Sequence, residues 1–292
     1  MIFYSCQSNL YSIKMKRITF ILFLIFIFIK SFCNNKLQCD TICYAKRSGI
    51  KLNIELISPC NFNHKMPAII FFYGGGWIKG NREQFRPHAS YLAHKGIVAI
   101  LADYRTKEQC NATPFNCVED AKSVIRFVKN NADKFNIDTT KIVAAGGSAG
   151  GHLAASCAYI SNYNHPKDDL SISPRPTALV LFNPVIDNGK NGFGSDTIKK
   201  NYMTFSPLHN IKKNNALPTL FMVGDNDKLV PLKTAQKFKD LTEGNGATCI
   251  LKVYKKQEHG FFNYKPNSNN KYYKITLKEL ESFLHKLGYL QK

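Results

Sequence analysis

Short apolar runs alternate with amphipathic segments along most of the chain. "PAIIFFY" (67–73), "GIVAILADY" (96–104), "KIVAAGG" (141–147), "TALVLFNP" (177–184), "PTLFMVGD" (218–225) and "ATCILKVY" (247–254) are apolar stretches, most of them rich in Ile, Val or Phe, and Gly, Pro or Asp punctuates them. Runs of this length and make-up predict buried strands. Their continuous rather than alternating apolarity predicts parallel strands covered on both faces. Between them, residues 114–135 place Val118, Ala121, Val124, Ile125 and Val128 at three- and four-residue steps, which gives one apolar helix face. A helix is expected over 149–160, another over 231–243 opening at Pro231, and a third over 272–287 with Leu277, Leu280 and Leu284 on one side. A further pair of strands is expected within 47–58. The pattern is that of a mostly parallel, doubly wound α/β sheet with helices on both faces.

The N-terminus breaks this pattern. "KMKRITFILFLIFIFIKSFC" sets Lys14, Lys16 and Arg17 before an apolar stretch from Ile18 to Ile29, interrupted only by Thr19. Twelve helical residues reach about 18 Å, well short of the roughly 30 Å of a hydrocarbon core. Residues 1–33 therefore read as an export signal, with Met15 an alternative start, and residues 34–292 as one domain without a stable membrane span. Localisation is expected to be secreted or periplasmic.

Composition adds bounds. With 292 residues, 44% of them hydrophobic and 21% charged, the chain has the make-up of a globular protein and not of a disordered one. Net charge is +20, of which residues 1–33 supply four positive charges and no negative one, leaving +16. The lysines are scattered, without a basic helix or an aromatic-interleaved patch, so nucleic acid is not an expected partner. Nine cysteines suit an exported chain. Cys110 and Cys117 enclose a short loop and are spaced to pair. Cys39 and Cys43 are spaced for a local bridge or a weak metal site, but no second ligand pair follows at zinc-finger spacing, so no metal is expected. Seven cysteines beyond residue 33 leave at least one free, and Cys157 is expected as a buried thiol.

"GGSAGG" (146–151) falls where strand 141–147 meets helix 149–160. A serine on such a corner, with glycines two places before and after, is placed as an exposed nucleophile beside free helix N–H groups. The bland alternative is a helix cap; a phosphate-binding loop is opposed by the missing Lys-Ser/Thr. Acyl transfer also needs donors for the developing oxyanion. "FFYGGGWIKGN" (71–81) supplies them at the end of another strand, and Gly75, Gly76 and the N–H of Ala149 are the expected oxyanion hole. Base and orienter follow in "QEHGFFNY" and "GDNDKLVP": His259 lies just beyond strand 247–254, and Asp227 just beyond strand 218–225, with Asp225 as rival acid. His88 and His94 are expected on a surface helix, His64 in a loop and His152 on the helix after Ser148.

With "YGGGW", "DYR", "VEDAKSVIRFVKNN", "GGSAGG", "GDNDKLVP" and "EHGFFNY" in this order, the chain resembles carboxylesterases of the α/β-hydrolase superfamily over roughly residues 47–289. The nearest groups are the hormone-sensitive-lipase-like esterases and the bacterial acetyl or feruloyl esterases. The resemblance implies an α/β-hydrolase fold with minimal cap. It also implies ester hydrolysis through catalytic Ser148, Asp227 and His259, no cofactor, and a small-molecule or carbohydrate-linked ester as partner. The resemblance implies that Asp103 and Arg105 are structural and that Asp120 lies on a helix under the site, with none of them assigned to the chemistry. Lipase-like members have His where this chain has Tyr73, so the oxyanion loop must be shaped differently. The 79 residues between Ser148 and Asp227 leave room for a modest insertion near 187–214. A lightly covered site suits short acyl groups or acyl groups on a sugar polymer. A peptidase or amidase on the same fold and a non-catalytic binding protein are the alternatives.

Overall fold

Leu37–Arg47 (β1) and Ile50–Pro59 (β2) form a hairpin, followed by Met66–Phe72 (β3), Val98–Ala102 (β4), Ile137–Gly147 (β5), Ala178–Phe182 (β6), Thr219–Gly224 (β7) and Cys249–Tyr254 (β8). The computed structural model describes residues 36–60, 64–190 and 192–291, so the expected signal segment lies outside the described residues. All eight strands join one sheet in the order β1-β2-β4-β3-β5-β6-β7-β8. β1 and β2 pair antiparallel, as do β2 and β4; every other pairing is parallel.

The main helices are Arg86–Ala93 (α1), Pro114–Asn130 (α2), Ala149–Tyr159 (α3), Leu232–Gly244 (α4) and Lys271–Lys286 (α5). Period-two geometry explains why the strand sequences are apolar throughout. Along β3, Ala68, Ile70 and Phe72 face a core shared with Val118 and Val124 of α2, Leu153 of α3 and Phe238 of α4. Ile69 and Phe71 face the opposite core, with Leu92 of α1 and Leu280 and Phe283 of α5. Both faces are buried, and a polar residue has no place on either. After β6 the chain makes a long excursion, with short helical turns at Ser195–Ile198, Tyr202–Phe205 and Pro207–Asn210, before re-entering the sheet at β7. That is the modest insertion expected near 187–214.

Several local expectations require correction. The early strand pair is not confined to 47–58: residues 37–47 form a full strand that is mostly solvent-facing. An edge strand of that kind carries no apolar run to reveal it. Its turn, Ser48-Gly49, has positive φ at both positions (49° and 77°), the geometry that joins antiparallel strands in two residues. Helix α2 stops at Asn130, and β5 begins at Ile137 rather than at residue 141. Cys110 and Cys117 do not pair. The Cys117 thiol donates to the Arg105 carbonyl at 3.1 Å, and Cys110 leans on the Thr106 carbonyl. All seven described cysteines are free thiols, so Cys39 and Cys43 form no local bridge either. Cys157 is buried as expected, and burial pushes its thiol up to about 12.

His94 is exposed, but its expected companion His88 is not a surface residue. It is fully buried, with Phe85, Phe182, Phe262 and Tyr273 around its ring and no hydrogen-bond partner on either nitrogen. Burial lowers its pKa to about 3, and the buried His152 is lowered likewise, to about 3, although its Nε2 lies 3.1 Å from the Phe205 carbonyl. Both imidazoles are therefore neutral in the native state but bind a proton in the unfolded chain below its ordinary value near 6.5. The unfolded state holds more protons between about 3 and 6.5, so stability is lost as pH falls through that window. Each histidine contributes a loss of about 2 kcal/mol between pH 7 and pH 5. Urea unfolding at the two pH values is expected to show both losses, and His88→Phe to remove about half of the difference.

Candidate active site

Ser148 follows the last residue of β5 and precedes the first of α3, with φ 54° and ψ −121°. Such a backbone is costly for a residue with a β-carbon, and it persists because neighbours fix the corner from both sides. Its N–H donates to the Phe182 carbonyl at 3.0 Å, and its carbonyl accepts from the N–H groups of His152 and Val185. The hydroxyl makes no capping bond to the helix. It meets Nε2 of His259 at 2.8 Å instead. The helix-cap alternative is thereby set aside.

His259 stands in the loop after β8, with its Nδ1 2.8 Å from Oδ2 of Asp227. The Asp227 side chain is completely shielded, while the imidazole is about a quarter exposed, at 23%. Two backbone donors, the N–H groups of Leu229 and Val230, both reach Oδ1 of Asp227 at 2.9 Å. The carboxylate is thus held on one oxygen by its own loop and presents the other to the ring. Asp225 does something different: it is exposed, and its Oδ1 accepts the Lys256 N–H at 2.6 Å, pinning the β7 loop to the β8 loop. Three side chains from three loops at the carboxyl edge of the sheet therefore form one hydrogen-bonded line, Asp227 to His259 to Ser148.

The glycine loop after β3 lies beside them. A β-carbon on Gly74 would sit 3.3 Å from the Ser148 Cβ. Gly75 and Gly76 have φ of 132° and 65°, which turn successive peptides in a way closed to most other residues. The Gly74 N–H is already taken by Oε1 of Gln84 at 2.6 Å. Those of Gly75 and Gly76 have no acceptor among the described residues, and Ala149 opens α3, where helix N–H groups are unpaired. Tyr73, at the position where lipase-like relatives carry His, is buried and stacked on Tyr104 at 4.1 Å between centroids. Each phenol donates to the other's carbonyl, at 3.0 and 2.8 Å. This reciprocal lock anchors the base of the loop. Arg105 pairs with Asp120, which lies on α2 as expected, and Asp103 accepts from Arg82, so Asp103 and Arg105 hold structural ion pairs as expected.

Sequence reasoning missed three amides. Asn183, directly after β6 with φ 37°, accepts the Gly260 N–H on Oδ1 at 3.0 Å and brings Nδ2 to 3.4 Å from Nε2 of His259. Gln84 and Asn263 hydrogen-bond each other between the glycine loop and the histidine loop. An Asn directly after an apolar strand, in "LFNP", was the available signal for the first; nothing marked the other two. The wall over the glycine loop is aromatic. Trp77, itself at φ 62°, packs on Phe193 from the excursion after β6, and the Phe193 ring reaches within 3.6 Å of where a Gly76 β-carbon would stand.

A family model described as BD-FAE matches residues 54–188, and one described as the dienelactone hydrolase family matches residues 193–286. Thermogutta terrifontis esterase 2 in its propionate-bound structure superposes with a TM-score of 0.81 at 34% identity, covering 87% of this chain and 96% of that one. The same esterase phosphorylated by paraoxon gives 0.80 at 35% identity over the same shares. Among curated relatives, a probable isoprenylcysteine alpha-carbonyl methylesterase of rice is 27% identical over 249 residues, 76% of this chain and 56% of that protein. An acetylxylan esterase of Xylanibacter ruminicola is 25% identical over 210 residues, 66% of this chain and 41% of that protein. The chain thus spans about half the length of these two curated relatives. It belongs to the α/β-hydrolase carboxylesterases.

Proposed function

We propose that this chain is an exported serine esterase that cleaves short-acyl carboxylic esters, including acyl groups carried on carbohydrate. The observation that supports it most is the unbroken Asp227–His259–Ser148 line, with both links at 2.8 Å. His259 takes the Ser148 proton as the oxygen attacks the ester carbonyl, while Asp227 keeps the other ring nitrogen protonated. Gly75, Gly76 and Ala149 donate to the oxyanion, each bond contributing about 2.7–4 kcal/mol to the transition state. His259 then protonates the leaving alcohol, and water activated by the same ring releases the acid.

The short-acyl preference draws on Phe193 against Gly76, which limits the space beside the reacting carbonyl. The propionate-bound esterase and the acetylxylan esterase among the relatives favour the same substrate range. A fluorophosphonate probe is expected to label the wild-type chain once, at Ser148, and Ser148→Ala to abolish both labelling and hydrolysis of p-nitrophenyl acetate. A panel of acetate to laurate esters, acetylated xylan and peptide amides should show turnover falling beyond butyrate and absent on amides. Equal turnover of long-chain esters removes the substrate reading, and retained activity in Ser148→Ala removes the nucleophile. Export is read from the same protein expressed at full length: a mature N-terminus near residue 34 in the exported fraction is expected, and an intact N-terminus inside the cell opposes it.

A further inference from the structure

Gln84 and Asn263 lie 179 positions apart in the chain, yet their amides are 2.9 Å from each other. The donors and acceptors run in one direction. The Gly74 N–H donates to Gln84 Oε1 at 2.6 Å, Gln84 Nε2 donates to Asn263 Oδ1, and Asn263 Nδ2 donates to the Gly260 carbonyl at 2.9 Å. The two ends fix the orientation of both amides, because a peptide N–H can only donate and a peptide carbonyl can only accept. Flipping either side chain would set donor against donor or acceptor against acceptor. The path then continues beyond Gly260, whose N–H donates to Asn183, the residue whose Nδ2 approaches Nε2 of His259.

These contacts bridge parts of the fold that the sheet does not hold together. Gly74 follows β3 and Gly260 follows the loop of β8, and β5, β6 and β7 lie between those strands. Both segments turn through glycines at positive φ (Gly75, Gly76 and Gly260), a backbone conformation that most other residues rarely adopt. The site needs them in register to a fraction of an ångström, because the oxyanion donors and the base act on the same carbonyl. We propose that Gln84 and Asn263 are positioning residues, an amide relay that holds the oxyanion loop and the His259 loop at a fixed separation. A chain of aligned amides suits this task, because each bond polarises the next and the series resists stretching as a unit.

This inference rests on Ser148, His259 and the glycine loop acting as proposed above. The test uses Gln84→Met, Asn263→Leu and the double variant in the full chain. Steady-state hydrolysis of p-nitrophenyl acetate is measured beside the His259 Nδ1–H proton resonance. Each single variant should lower kcat about tenfold with KM within about twofold, since misplacement affects the transition state more than binding. The double variant should be no worse than the weaker single, because either change breaks the same chain. The imidazole resonance should broaden in all three, with melting temperature nearly unchanged. Single variants within twofold of wild-type kcat, losses that multiply in the double, or an unchanged resonance would overturn the relay. A wild-type chain that neither hydrolyses the ester nor reacts with fluorophosphonate would instead remove the esterase reading. The resonance alone would then decide the relay, sharp in wild type and broadened in the variants if it holds.

Discussion

Asp227→Asn is expected to lower kcat for a short-chain ester by about 10⁴-fold while leaving the fold and the melting temperature nearly intact. The size of the loss follows from which atoms hold the carboxylate. Oδ1 accepts from the Leu229 and Val230 N–H groups, so that position must remain an acceptor. An asparagine at this position would therefore keep its carbonyl oxygen against the two backbone donors and turn its NH₂ toward His259. Nδ1 of the imidazole then has to accept, which places the ring proton on Nε2, facing Ser148. A protonated Nε2 cannot take the serine proton. The substitution changes the tautomer without moving a heavy atom. The assay is kcat on p-nitrophenyl acetate with active sites counted by fluorophosphonate, and the labelling rate should fall in parallel. Asp225→Asn is the matched control. That carboxylate holds Lys256 on the surface, and its loss should leave kcat within about twofold. Equal losses at the two positions would contradict the assignment of the acid.

Legibility in the sequence followed the physics of each element. β3, β6, β7 and the second half of β5 are covered on both faces, so their residues are apolar almost without interruption, whereas the polar stretch 138–141 hid the start of β5. β1 is exposed along most of its length and left only polar alternation to read, although it extends the sheet by a whole strand. Ser148 was legible because it follows directly on the apolar end of β5, and Asp227 and His259 because each lies in the loop just beyond a strand; their order in the chain suggested the roles proposed for them. His88 was misplaced because helix position alone does not tell which face a residue takes. Asp103 and Arg105 form ion pairs, as their expected structural role implies, and Asp120, expected on a helix under the site, lies in α2 paired with Arg47 and Arg105. Asn183, Gln84 and Asn263 escaped because they act through separations of 76 and 179 residues, and an amide carries no local pattern that announces a distant partner. The charge of the chain indicated nothing about the site, whose acid is held by backbone donors and an imidazole rather than by lysine.

Gly150→Ala carries the largest expected structural effect, because the site's geometry depends on two backbones touching. A β-carbon on Gly150 would lie 2.0 Å from the Phe72 carbonyl oxygen and 2.4 Å from that of Tyr73. Both obstacles are main chain at the end of β3, leaving no flexible side chain to yield. Relief requires α3 to move away from β3 by an ångström or more. Every residue of α3 is buried, so the helix cannot shift without disturbing the core on all sides. The same shift would carry Ser148 away from His259 and from Gly74, and widen the gap that an oxyanion must fill. Gly146→Ala meets the helix from below, at 2.4 Å from the Gly150 carbonyl group, and should fail in the same manner. A destabilisation of at least about 4 kcal/mol is expected for Gly150→Ala, with the loss of ester hydrolysis in whatever fraction remains folded. The contrast is Gly244, the last residue of α4, where an added β-carbon meets nothing within 4 Å. Alanine there should raise stability by up to about 1 kcal/mol through helix propensity and leave kcat unchanged. Urea midpoints of the two variants beside wild type decide the matter. A Gly150→Ala protein that melts and hydrolyses like wild type would mean that α3 and β3 are not in the close contact on which the serine's position depends.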